Sequence, residues 1–217
     1  MDEDFSKEYI DDVPSTPVWR GSDYLLFYGK GSVKWEYDSS SQTFVHTNNP
    51  YSLYGYYFVT DATPTNDMTS VAQASGASTR ITTYDDYLLH EQELVSVNQS
   101  GREFFGEDFS GARPRTISTF SSIPGITGAD GKVTMRFISR INSGSGTASL
   151  SINDSELLDI TIPSIQTVSS NVRSYTKAIP GTTTALWKGS KSEKNNVVVS
   201  YSSSGHTNVR LDYIRMQ

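Results

Sequence analysis

From 132 to 163 the chain reads KVTMRFISRINSGSGTASLSINDSELLDITIP. Val133, Met135 and Phe137 alternate with Thr134 and Arg136. After Ser143-Gly-Ser-Gly146, Ala148, Leu150 and Ile152 alternate with serines. After Asn153-Asp-Ser155, Leu158, Ile160 and Ile162 alternate with polar residues. Side chains in a strand point to opposite faces in turn, so each run builds one apolar and one polar face. Short alternating runs separated by turn residues predict antiparallel strands with one buried face.

The pattern continues downstream in Asn196–Tyr201 and Asn208–Tyr213, with turn signals at Ala129-Asp-Gly131, Pro180-Gly181 and Ser204-Gly205. A jelly-roll-like β-sandwich is expected over 111–217. Upstream, 18–110 reads as a separate aromatic-rich β domain, and 1–17 as an acidic tail carrying Pro14 and Pro17. The apolar run Asp23–Tyr28, closed by Gly29-Lys-Gly31, predicts a buried strand. Val33, Trp35 and Tyr37, a break at Asp38–Ser41, then Phe44-Val-His46 predict a hairpin. Tyr51–Thr60 reads as another strand, with Gly55 marking a bulge or a close backbone approach. A long loop at 61–80 follows. Thr82–Val97 holds one or two strands, with Tyr84, Tyr87, Leu89 and Leu94 as anchors. No helical period persists. The fold class expected is all-β, as two antiparallel β domains.

Composition narrows the function. The 217 residues carry a net charge of -6 and no Lys/Arg run, which argues against a nucleic-acid partner. The lack of cysteine excludes disulfides, thiolate metal sites and a cysteine nucleophile within this chain. No stretch approaches the ~20 apolar residues of a membrane helix, so no membrane insertion is expected. The acidic start lacks the features of a signal peptide.

Few constellations suggest chemistry. Gly29-Lys-Gly-Ser32 lacks the spacing of a phosphate loop. His46, His90 and His206 have no spaced partner for a metal or a triad. The pairs Asp11/Asp12, Asp85/Asp86 and Glu91/Glu93 form no recognisable acid–base or calcium motif. No cofactor is expected, apart from a structural calcium ion at a sandwich edge. Trp19, Trp35, Tyr54, Tyr56 and Tyr57 offer rings on which a sugar can stack. The simpler reading places them in the core of the first domain.

One further stretch stands out, Ser100-Gly-Arg-Glu-Phe-Phe-Gly-Glu107. Gly101 and Gly106 permit turns. Extended backbone sends Phe104 and Phe105 to opposite sides. Arg102 stands between Gly101 and Glu103, with Glu107 further on, and a buried arginine seeks carboxylate forks. Arg102, Glu103, Phe104, Phe105 and Glu107 are therefore expected to form an inter-domain corner, or else an exposed docking patch.

The ordered set Phe27-Tyr28-Gly29, Trp35, Tyr37, His46, Asn49, Tyr51, Tyr57-Phe58, Glu91 and Ser100–Glu107 resembles the gingipain family of cysteine peptidases. Within it the resemblance is to the sortase-like, cell-surface peptidases of Bacteroidetes type IX secretion. It spans most of 20–110 and more loosely the rest. The resemblance implies a parent that is exported, acts at the cell surface, removes C-terminal sorting domains from cargo and helps attach that cargo. Its catalytic His and Cys lie in a downstream domain, so no catalytic residue is carried over to this chain. The chain corresponds to the noncatalytic N-terminal β region. The partners implied are the peptidase domain of the same parent, secretion cargo and other secretion components. The alternatives are a glycan-binding β-sandwich of an exported enzyme, with Trp35, Tyr54 and Tyr56 as the stacking rings, and an independent hydrolase.

Overall fold

A computed structural model describes residues 15–61, 67–72, 75–76, 79–99, 101–165, 178–189, 194–203 and 205–217. Most of the expected tail, parts of the 61–80 loop, Ser100 and Ser204 lie outside the described residues. The described chain is all-β, with one short 3-10 helix at Ser118–Phe120. Among the described residues no helix is long and apolar enough to cross a membrane. Contacts divide the chain into two units, Met1–Thr82 and Thr83–Gln217. The segment between 83 and 110, which the sequence assigns to the first region, therefore belongs to the second unit.

In the first unit, β1 (Val18–Arg20) pairs antiparallel with β2 (Leu25–Phe27). The expected hairpin forms from β3 (Val33–Asp38) and β4 (Thr43–Asn48). Asp38 holds its turn. Its carboxylate accepts hydrogen bonds from the Ser40 backbone N–H and from the Ser40 and Ser41 hydroxyls. These bonds bring its pKa down to about 2. Cross-strand ring pairs line one face, Trp35 with His46 and Tyr37 with Phe44. Two expectations are corrected. Tyr51–Thr60 is turn and loop rather than strand, and the run around β2 is exposed rather than buried. Gly55 does mark a close approach, since a Cβ there would lie 2.8 Å from the Lys30 carbonyl oxygen.

The second unit is a sandwich of two four-stranded antiparallel sheets. Its strands are β5 (Leu88–Glu91), β6 (Arg115–Thr116), β7 (Asp130–Ile141), β8 (Ser145–Ile152), β9 (Ser155–Pro163), β10 (Ile179–Lys188), β11 (Val197–Ser202) and β12 (His206–Met216). One sheet runs β10-β7-β12-β5 and the other β6-β11-β8-β9. After β7 the chain crosses to the second sheet for β8 and β9 and returns for β10. It crosses again for β11 and returns for β12. The alternating residues read from sequence form the core between the sheets: Val133, Met135 and Phe137 against Ala148, Leu150, Leu158, Ile160 and Ile162. Phe137 stacks on Tyr201, whose hydroxyl bonds Ser139 at 2.7 Å. Pro180-Gly181 is not a turn. It begins the edge strand β10, a place where proline is tolerated because no neighbour needs its missing N–H.

Strand β7 is buried on both faces. Its inner residues meet the second sheet. On the outer face Ile138 packs in a second apolar cluster with Val97, Phe105 and Ala178. That cluster carries residues 101–109 onto the sheet.

Candidate functional site: residues 101–109 on the outer face of the sheet

Backbone bonds place this segment first. Phe105 exchanges bonds with Val95, at 2.9 and 3.1 Å. The Gly106 N–H donates to the Leu211 carbonyl at 2.7 Å, and the Leu211 N–H donates to the Glu107 carbonyl at 3.1 Å. The Phe109 N–H donates to the Val209 carbonyl at 2.8 Å. The segment thus extends the pairing of the β12 edge beyond β5. Gly106 sits close beneath a neighbour, since a Cβ there would lie 3.1 Å from the Gln92 carbonyl, which would have to give by a few tenths of an ångström. Gly101 turns with φ +71°, in the left-handed region that glycine enters at little cost.

The side chains divide between two clusters. Phe105 is fully buried, while Phe104 is half-buried. The guanidinium over the Phe105 ring belongs to Arg136 of β7, 5.7 Å from the ring centroid. Arg136 donates to Glu103 at 2.9 Å and to Asp212. Asp212 sits at a register shift in β12, where a bulge places its side chain against the neighbouring strand. Arg102, to which the sequence reading gave the buried fork, is exposed. The fork exists, but its arginine comes from the sheet beneath.

Burial pushes the Asp212 carboxyl up to about 6, reinforced by Glu91 and Glu103 and opposed by Arg136. Burial also works against the Arg136 charge, but Asp212 and Glu103 outweigh it and raise that pKa. Asp212 is therefore the member of the pair that gives up its charge first. The sign for stability follows. A carboxyl whose folded pKa lies above its unfolded value stabilises the fold fully below the unfolded value. That contribution is lost as pH rises from the ordinary 3.8 through about 6. The two pKa units between them correspond to about 3 kcal/mol. Asp212→Asn is expected to flatten the stability profile in this window, as read by urea midpoints from pH 4 to 7. An unchanged slope would show that Asp212 is not the titrating group.

The second cluster joins three segments. His90 Nε2 donates to Glu107 at 2.6 Å, and Nδ1 shares a 2.6 Å hydrogen bond with the Thr119 hydroxyl. The Phe120 ring lies edge-on to the imidazole. Despite burial, the bond from His90 holds the Glu107 pKa below its usual value. Its stabilisation is present above the unfolded pKa and is lost in acid. This carboxylate–imidazole–hydroxyl line ties β5 and the 101–109 segment to the 3-10 helix. Sequence reading missed it because its members stand at 90, 107 and 119. Arg210 completes the attachment by donating to the Gly106 carbonyl at 2.9 Å.

The aromatic candidates are not gathered into one site. Trp35 is half-buried against His46. Tyr54 and Tyr56 are exposed and meet edge to face at 6.5 Å. Tyr57 packs on Phe27, and Trp19 is exposed. Among the described residues, no group of three or more His, Asp or Glu is placed to hold a metal ion.

No protein-family profile matches the chain, and no curated protein matches it. Among solved structures, dimeric latent PorU from Porphyromonas gingivalis matches 100% of this chain at 30% identity and a TM-score of 0.76. A CBM35 from Cellvibrio japonicus Abf62 covers 61% of the chain at 15% identity and a TM-score of 0.30, too low to support an argument. The chain spans 20% of the PorU chain. Along its whole length, then, this chain is similar to a part that makes up a fifth of the PorU chain.

Proposed function

We propose that this chain is the noncatalytic N-terminal β module of a longer, exported PorU-like cysteine peptidase of the cell surface. The parent removes C-terminal sorting domains from type IX secretion cargo and takes part in attaching that cargo. The module is a scaffold that presents a docking surface to the peptidase domain, to cargo or to other secretion components. The observation that carries this reading is the match to PorU over the full chain at 30% identity. The absence of cysteine fits a part that leaves peptide cleavage to another domain. The docking surface is the exposed side of the 101–109 segment, where Arg102 faces solvent above a firmly held backbone.

The test is Arg102→Glu in the full-length parent. Unfolding should be unchanged, while cleavage of sorting domains from cargo falls about tenfold, the size of one lost charged contact at an interface. Cleavage at the parental rate would overturn the docking role.

A further inference from the structure

We infer that β2 is an open docking edge that receives a strand from the remainder of the parent polypeptide, becoming an inner strand of a larger sheet. The inference rests on the reading of this chain as a module of a longer protein.

Tyr24-Leu-Leu-Phe-Tyr28 is apolar at every position. In extended backbone, Tyr24, Leu26 and Tyr28 take one face, and Leu25 and Phe27 the other. Strands apolar on both faces belong inside sheets that are covered on both sides. Here the five residues are exposed by 52, 52, 56, 45 and 73%. Along one edge β2 pairs with the three residues of β1. Along its other edge it meets no strand among the described residues. Natural sheet edges are blunted by charges, proline or bulges. Tyr24–Tyr28 has no charge, proline or glycine. An unblunted edge of this kind is a template for one more strand.

The rest of the first unit shows the same lack of cover. Every buried hydrophobic residue described lies at Val97 or beyond. Most exposed large hydrophobics, from Trp19 to Ile81, lie in the first unit. Two-stranded ribbons without a covered face are marginal in water. The occupant follows from chain length. The PorU chain that matches all of this one has four-fifths of its length outside the match. That polypeptide is tethered to the module and is therefore always at high effective concentration.

Hydrogen exchange at those amides of 24–28 that point away from β1 tests the inference, comparing the native full-length parent with this chain alone. The parent should slow exchange there about 100-fold. Leu26→Lys in the parent should abolish that slowing and leave the β7 and β12 amides protected. Equal rates in the two proteins would overturn the inference. So would protection already present in the isolated chain, whether independent of concentration, from its own folding, or rising with concentration, from a second copy. The intact mass of the native polypeptide separates the two levels of the reading. A native mass no larger than this chain overturns the module reading and the docked strand together. A larger mass with unprotected amides overturns the docked strand alone.

Discussion

Arg136→Ala is expected to destabilise the second unit by about 3 kcal/mol near neutral pH, the lower end of the range for breaking one side of a buried ion pair. The lower end applies because the Arg136 side chain keeps 22% of its surface exposed, while Asp212 keeps only 5%. Removing the guanidinium leaves Asp212 buried beside Glu91 and Glu103 with its main counter-charge gone. The carboxylate then escapes by taking up a proton. The loss should therefore be greatest above pH 6 and shrink as the solution is acidified. Arg102→Ala, made at the residue that the sequence alone puts in this role, should cost less than about 1 kcal/mol, as exposed charges do. Urea unfolding of both variants across pH 5–8 checks the pair of expectations. Equal losses at 102 and 136 would contradict the assignment of the fork to β7.

The second large effect is expected at Phe105. The ring is fully buried in the cluster with Val97, Ile138 and Ala178, and its backbone is bonded to Val95. Phe105→Ala should cost about 3–5 kcal/mol, the transfer of a buried ring plus the cavity left behind. Phe104, which is only half-buried, should lose clearly less. Arg136 stands over the Phe105 ring, so the double variant with Arg136→Ala should fall short of the sum of the single losses. Thermal or urea unfolding of the single and double variants measures this. Strict additivity would show that the ring and the guanidinium do not support each other.

These two residues also mark the limit of what sequence can reveal. The inner faces of β7, β8 and β9 are legible because burial on one side of a strand writes itself as alternation. Ile138 and Arg136 break no such rule, yet they carry the outer face of β7. Their role depends on which loop lies above them. The glycines and rings of the 101–109 stretch are legible in the sequence, but its place on the outer face of β7 is not. Its arginine was assigned to the nearest position, Arg102, because spacing along the chain cannot show pairing between strands. The bulge that brings Asp212 to Arg136 leaves no sequence signature. His90 likewise finds Glu107 and Thr119 only through the fold. The first unit fails differently. Its apolar run at 24–28 reads as a buried strand because it has that composition. In the structure that run is exposed, because no described element of the first unit covers it.

A chain that works as part of a larger peptidase must lie within a longer native polypeptide. The most direct measurement is the length and sequence of the native polypeptide that contains it, from intact mass together with the reading frame after Gln217. The expected frame continues into an α/β domain carrying a His and then a Cys, with a native mass well above the 24.0 kDa of this chain. A native product consisting of this chain alone would contradict it.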